Sequence, residues 1–313
     1  MRFLNVLLVV FLFYTAASNA EDGGCTELVF NELKHLDKMV ESYPFRVWYA
    51  TKGKHKIKSF EEDNGLSNSS EIISDLLLQL HSADKYFSNE LGLTQPLLKN
   101  RYSQAEFIDV HLIKMDRGNG VAFDEVIAEK TYADAVSFSC GIKMRLNKDL
   151  DFTQNVTPAH ELFHLYQYSN SMFKVGWYLE GMARWIEQAF VGPVESDLNS
   201  FGSNSCSSVY KESYSASRYW KDLARRKKSK DILLSKDLSE LKYSNGQSVF
   251  KVGVFIDGSI IQTIFESLEK ESLRLSVVND LPLYSWPEKI QRSSFFNDQI
   301  CTVVEEISSF AVK

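Results

Sequence analysis

The sequence predicts an α+β fold in which a small mixed β-sheet is followed by a mainly helical C-terminal lobe. Strand-like alternation is confined to the chain before residue 157, and from there onward apolar residues recur mostly at helical spacing. The 313 residues are 44% hydrophobic and 24% charged, which is enough for a large core. We therefore expect an α/β lobe over residues 21–156 and a helical lobe over 157–313 that together form one unit.

The elements of the N-terminal lobe follow from local patterns. A helix is predicted over residues 27–40, and alternation over 45–50 predicts a strand. Further strands are predicted over 107–115 and within 135–147. A long helix over 70–91 has six apolar residues on one face, with Gly92 and Pro96 as stop signals beyond it: Ile72, Ile73, Leu76, Leu77, Leu80 and Ala83.

The N-terminus has the layout of a secretory signal peptide over residues 1–20. Arg2 precedes an apolar run over 6–14 and small residues over 16–20, which favours cleavage after Ala20. The apolar run is too short to span a bilayer. A secreted or periplasmic protein without stable membrane insertion is therefore expected, and an uncleaved anchor is the alternative.

Net charge and cysteine content indicate which partners and which disulfides to expect. The net charge of -6 and the lack of a basic stripe argue against a nucleic-acid partner, and the basic run over 225–228 is interpreted as a solvated helix end. Export favours two disulfides among four cysteines, in any of three pairings: Cys25, Cys140, Cys206 and Cys301. Asn68 and Asn155 lie in glycosylation sequons.

The stretch TPAHELFHLYQY, residues 157–168, carries a metal-ligand pattern. Thr157 suits an N-cap and Pro158 the first helical position. His160 and His164 lie four positions apart on one helix face, so their rings converge on one point and suit a single zinc ion. Glu161 lies about 100° around the helix, where it suits a base rather than a ligand. The alternative is a partly buried helix whose histidines bond other side chains.

A candidate third ligand lies in WYLEGMARWIEQ, residues 177–188. Glu180 stands among apolar residues, where a carboxylate is costly unless it is paired or metal-bound. The small Gly181 and Ala183 would let this second helix approach the first closely. A short polar connection lets the two helices fold back antiparallel, which brings Glu180 near the imidazoles. The alternative is a first-turn glutamate favoured by the helix dipole.

These motifs resemble the gluzincins, zinc peptidases that include thermolysin and the zinc aminopeptidases, over residues 158–188. The resemblance implies a zincin-like catalytic domain with one catalytic Zn²⁺ held by His160, His164 and Glu180. It also implies Glu161 as general base, and the strand around 141–146 as the edge that pairs with an extended substrate.

Two departures from that family shape the expectation. The Gly-Ala-Met-Glu-Asn segment with which the aminopeptidases grip a free amino terminus is absent, which favours endopeptidase action. No histidine follows His164 to stabilise an oxyanion, so a tyrosine or arginine must serve. Gluzincins often place such a tyrosine at the start of a helix, which makes Tyr214 the candidate. The alternatives are Tyr210, Arg218 and Tyr219.

The other polar residues are interpreted as positioning or structural residues or as solvated charges. Glu187 is either a partner that orients a histidine ligand or a solvated charge. Arg184 is near enough along the helix for an ion pair with Glu187 or with Glu180. Structural roles are expected for the remaining histidines, which are His35, His55, His81 and His111.

The expected function is that of a secreted zinc metallopeptidase acting on a peptide or protein substrate. Glu161 takes a proton from the attacking water and Tyr214 shares the oxyanion with the zinc ion. Two alternatives stand beside it. One is a zinc hydrolase of a non-peptide amide or ester, and the other is a non-catalytic, zincin-like secreted binding protein.

Overall fold

The computed structural model describes residues 25–28, 35–58, 69–129, 139–192 and 205–308. The predicted signal peptide over 1–20 and the sequon at Asn68 lie outside these residues. The fold is mixed α+β, as predicted, with strands concentrated before residue 157 and helices after it.

One mixed sheet carries the N-terminal half of the protein. Its order is β1-β6-β7-β4-β3-β2, with β5 also paired to β7. The central strands β3, β4 and β7 are parallel, whereas β2, β5 and β6 run antiparallel to their neighbours β3, β7 and β7. The strands are β1 Thr26–Leu28, β2 Lys38–Ser42, β3 Phe45–Tyr49, β4 Phe107–Ile113, β5 Gly120–Ala122, β6 Ile127–Glu129 and β7 Gly141–Asn147.

Two sequence predictions about this sheet are wrong. The helix predicted over 27–40 gives way to strands, because β1 pairs with β6 and β2 forms a hairpin with β3. The predicted edge strand around 141–146 is instead β7, which lies inside the sheet with β4 on one side and β5 and β6 on the other. The strand that leaves an edge beside the helices is β5.

The helices cover the sheet and build the C-terminal half. The helix predicted over 70–91 is confirmed as α1, which continues in a π-helical turn over Tyr86–Glu90 and ends before Gly92, whose φ is +69°. A short hairpin of β8 Ile232–Leu233 and β9 Val254–Phe255 interrupts the helical half. The helices are α1 Ser69–Lys85, α2 Thr157–Asn170, α3 Gly176–Ile186, α4 Gln188–Val191, α5 Ser217–Arg226, α6 Lys236–Ser239, α7 Ile260–Val278, α8 Glu288–Gln291 and α9 Asn297–Glu306.

Helix α2 lies at the centre of the molecule. It contacts α1, α3, α7 and strands β5 and β7, and every residue from Pro158 to Asn170 is buried. One hydrophobic cluster runs from Phe45 to Ile307 and joins both halves of the chain. A central helix with polar side chains needs partners for them, because an unpaired buried polar group is costly.

All four cysteines are paired. Cys25 bonds Cys140, and Cys206 bonds Cys301. The first disulfide fixes the start of β1 beside β7, and the second fixes a 3₁₀ turn over Cys206–Val209 against α9. Two structural disulfides are typical of proteins from an oxidising compartment. In the described part of the chain, no helix is long and apolar enough to cross a bilayer.

Candidate metal centre and active site

Helix α2 begins as predicted, but with a different cap. Val156 holds the cap position, and the Asn155 side-chain oxygen accepts the Thr157 backbone N–H at 2.9 Å. Thr157 is therefore the first helical residue and not the N-cap. Pro158 lies in the first turn, where its missing N–H costs no hydrogen bond.

The three predicted ligands meet between α2 and α3. The His160 and His164 rings lie 4.7 Å apart, nearly perpendicular to each other. On α3, Glu180 brings its Oε2 atom to 3.2 Å from His160 Nε2 and 3.5 Å from His164 Nε2. The three ligand atoms all lie within 4.8 Å of one another. Within the described residues, no other such group of histidine, cysteine and carboxylate side chains converges.

The outer nitrogen of each imidazole has its own acceptor. His160 Nδ1 lies 2.9 Å from Glu187 Oε2, and His164 Nδ1 lies 2.8 Å from Gln167 Oε1. The Gln167 amide nitrogen donates to the Tyr178 and Leu179 carbonyls on α3, so its oxygen is turned towards His164. With their Nδ1 atoms donating to these acceptors, the two imidazoles in their neutral forms direct both Nε2 lone pairs at Glu180.

This arrangement fits a bound cation. Two imidazole lone pairs and a carboxylate oxygen converge, and acceptors at such short range repel unless a cation lies between them. Ligands of a tetrahedral zinc ion at about 2.0–2.1 Å per bond are themselves about 3.3 Å apart. The separations of 3.2 Å and 3.5 Å between Glu180 and the two histidines match that spacing.

The same geometry shifts the proton equilibria of the cation-free protein. Burial opposes charge on His160, but hydrogen bonds to Glu180 and Glu187 outweigh it and raise the pKa of His160 to about 10. Burial likewise opposes charge on Glu180, yet hydrogen bonds from His160 and His164 hold its pKa well below the usual range.

Glu161 lies beside this centre, under the edge strand. Its side chain is buried, and the Ala122 backbone hydrogen-bonds its carboxylate. Burial raises the pKa of Glu161, while the His164 and His160 charges partly offset that effect. Strand β5 reaches it because Gly120 has no side chain, since a Cβ there would lie 2.6 Å from Glu161 Cγ.

Tyr214 lies at the centre and the other candidate donors do not. It begins a 3₁₀ turn ahead of α5, its ring lies 5.8 Å from the His160 ring, and its hydroxyl donates to Glu180. Burial and the Glu180 charge raise the pKa of Tyr214 to about 12, so it is a neutral donor at neutral pH. Tyr210 donates to Asp298 and Tyr219 to Glu305, away from the centre.

Arg218 and the remaining histidines have structural contacts. Arg218 lies near Glu212 and bonds the Ser215 carbonyl. His81 hydrogen-bonds Ser42, and His55 Nδ1 accepts the Lys114 backbone N–H. The buried His111 packs edge-on against Trp48, and His35 is exposed at the surface.

An open cleft lies beside the centre at the start of β5, where Gly120 lines it. His160, Glu161 and Tyr214 line it together with polar residues from three other segments: Asn119, Gln154, Asn155 and Arg184. A second cleft begins beyond β5, where Asp124, Glu125 and Val126 line its wall. The edge strand therefore borders open space at both of its ends.

Sequence reasoning missed two residues of this site. Gln167 carries a signal in its spacing, because it lies three positions after His164 and so on the same helix face. Gly120 gives no local signal, since its role depends on contact with Glu161. Comparison with protein-family models, with curated proteins and with solved structures gives no match to this chain.

Proposed function

We propose that the protein is a secreted zinc metallopeptidase of the gluzincin type with a zincin-like catalytic domain. The observation that carries this proposal is the convergence of His160, His164 and Glu180 with the Glu161 carboxylate held beside them. Two imidazoles and one carboxylate are the donor set of thermolysin-type catalytic zinc, which keeps a further position for water. The two disulfides support an exported protein.

His160, His164 and Glu180 would hold the metal, with Glu187 and Gln167 keeping the two rings in their ligand orientation. When bound, zinc supplies Lewis acidity that activates a water molecule and polarises the substrate carbonyl. Glu161 takes the proton of the attacking water, a role that its raised pKa suits, and passes it to the leaving amine. Tyr214 donates its hydroxyl to the developing oxyanion.

A peptide is the substrate that the edge strand favours. Among the described strands β5 pairs with β7 alone, and its first residue, Gly120, lines the cleft. An extended peptide adds to such an edge by main-chain hydrogen bonds. Because a separate cleft lies at each end of β5, internal peptide bonds are the proposed targets.

The test combines metal content with a single substitution. Purified protein should bind one zinc ion per chain and cleave a peptide library, and Glu161→Gln should keep the zinc and lose cleavage. Protein that cannot be loaded with zinc, or a Glu161→Gln variant with full proteolytic activity, would contradict the proposal. Parallel assays with small amides and esters separate a peptidase from a hydrolase of non-peptide substrates.

A further inference from the structure

The cleft beside the metal centre has an uneven distribution of charge. Of its described lining residues, Glu161 and Glu187 are the acids, and both are buried and hydrogen-bonded. Arg184 lines the same cleft with an exposed side chain, 45% accessible. Apart from His160, it is the cationic side chain of that lining.

The Arg184 guanidinium is held in place from one side. One of its terminal nitrogens donates to Glu187 Oε1, while Glu187 Oε2 accepts from His160 Nδ1. Among the described residues, Glu187 is the side chain that accepts from Arg184. A guanidinium carries five N–H donors in all. The ion pair therefore holds one terminal nitrogen of Arg184, while the side chain stays exposed at the cleft.

The other polar groups nearby are neutral. Asn119, Gln154 and Asn155 line the same cleft as Arg184, and their amide side chains carry no net charge that would repel an anion. A planar guanidinium with free N–H groups binds a carboxylate through two parallel hydrogen bonds. The chemistry of this end of the cleft thus suits a negatively charged group.

We propose that Arg184 selects substrates by binding a carboxylate within about three residues of the scissile bond. The carboxylate is either an Asp or Glu side chain or a free peptide C-terminus, and the inference rests on the proposed peptidase function. One carboxylate, that of Glu187, separates the guanidinium from the His160 ring. Because an extended peptide advances about 3.3 Å per residue, only positions close to the scissile bond reach Arg184.

The experiment uses matched fluorogenic peptides with the zinc-loaded full chain. Each pair differs only by Glu against Gln at one position within three residues of the cleaved bond, and a second set compares a free C-terminus with its amide. The kcat/KM of wild-type protein should favour the charged peptide by about tenfold at one position or at the C-terminus, the size of one well-formed charge pair.

Variants at Arg184 test whether its guanidinium causes the preference for the charged peptide. Arg184→Gln should lower cleavage of both peptides, because it also removes a partner of Glu187, but the ratio should fall to near one. Arg184→Lys should keep part of the ratio. Gln154→Ala, a neutral change on the same cleft, serves as the control and should leave the ratio unaltered.

Binding provides a readout that needs no turnover. The zinc-loaded Glu161→Gln protein should bind the charged peptide about tenfold more tightly than its neutral partner, and Glu161→Gln/Arg184→Gln should bind both equally. Equal cleavage and binding of charged and neutral peptides by the parent protein would overturn the inference and leave the peptidase proposal intact. A preference that survives Arg184→Gln would overturn it as well. Charge-selective binding without any cleavage by zinc-loaded wild-type protein would instead count against the peptidase function alone.

Discussion

The proposed metal-ligand side of the site and its rim are built by different means. His160, His164 and Glu180 sit on two buried helices, and hydrogen bonds that the two imidazole rings donate to Glu187 and Gln167 orient those rings. The rim consists of β5 and the turn that carries Tyr214, and these approach the helices through glycine. This difference means that metal binding and hydrolysis should respond separately to mutation.

The glycine contacts are tight enough to define the rim. A Cβ on Gly120 would lie 2.6 Å from both Glu161 Cγ and Thr157 Cγ2. A Cβ on Gly181 would lie 2.7 Å from Ala216 Cβ, in the turn that begins at Tyr214. The position of the base and that of the donor thus depend on backbone approach, whereas the ligand positions depend on helical spacing.

Tyr214→Phe is expected to separate catalysis from zinc binding most strongly. The loss of a hydrogen bond to the oxyanion should lower kcat about 10²–10³-fold, because such donors act mainly in the transition state. Zinc content should stay at one ion per chain, since the hydroxyl is not a ligand. Tyr210→Phe, which removes a hydroxyl bonded to Asp298, is the matched control and should leave kcat unchanged. Equal kinetics for both variants would remove Tyr214 from the mechanism.

Gly120→Ala should have the second-largest effect on the catalytic rate. The added methyl group must displace Glu161, and a displacement on the order of 1 Å at a catalytic group costs about 10²-fold in rate. Zinc affinity should change little, because Gly120 touches no ligand. Gly253→Ala is the control, since a Cβ there meets nothing within 4 Å. A Gly120→Ala variant with wild-type kcat/KM would show that the close contact is unimportant.

Substitutions of Gln167 and Glu187, which accept hydrogen bonds from the two imidazoles, should instead weaken zinc binding. Gln167→Leu should weaken zinc binding about 10–100-fold, the usual cost of losing a hydrogen bond to a ligand. Glu187→Gln keeps an acceptor for His160 and should weaken binding less. Competition with a chromophoric chelator measures both affinities. A Gln167→Leu variant with unchanged zinc affinity would mean that the helix alone positions His164.

The smallest effect on the metal is expected at a charged cluster that anchors the rim. Asp124 follows β5 and bonds both Lys174, at 2.7 Å, and Arg101, whose guanidinium also bonds the Tyr168 carbonyl in α2. Burial opposes its ionisation, but the Arg101 and Lys174 charges prevail and lower the pKa of Asp124.

A lowered folded-state pKa stabilises the protein above the unfolded value, near 3.9, and that contribution is lost as the pH falls through the folded value. Asp124→Asn leaves Arg101 and Lys174 without their buried carboxylate, so it should lower the free energy of unfolding at neutral pH by about 3–5 kcal/mol, or roughly 10 °C in Tm. The difference from wild type should shrink in acid. Asp116→Asn, at an exposed position, is the control. A Tm difference that does not vary with pH would exclude this ion cluster as its source.

The ligand side of the site was predictable because its signals are local. The spacing of His160 and His164 and the start of α3 at Gly176 follow from helical periodicity, and the structure has both helices where the sequence indicates them. Tyr214 begins the 3₁₀ turn ahead of α5, close to the helix start that the resemblance implies. The N-cap of α2 differs from the prediction, because Val156 holds that position and the Asn155 side chain accepts the Thr157 backbone N–H.

The rim could not be predicted from local sequence patterns, because the residues that determine its structure are distant from one another in the chain. Strand β5 has three residues, too few for a period, and it pairs with β7 more than twenty positions later. Residues 38–40, inside the predicted helix, belong to a strand because the hairpin with β3 satisfies their backbone. Long-range pairing of this kind overrides local helix propensity.

The most direct test of the metal centre is a crystal structure of zinc-loaded protein with anomalous data above and below the zinc edge. The account predicts one zinc peak bonded to His160 Nε2, His164 Nε2 and a Glu180 carboxylate oxygen, at about 2.0–2.2 Å. It further predicts that His160 Nδ1 and His164 Nδ1 keep their bonds to Glu187 and Gln167. The absence of a peak between these three residues, or a zinc ion held elsewhere, would contradict it.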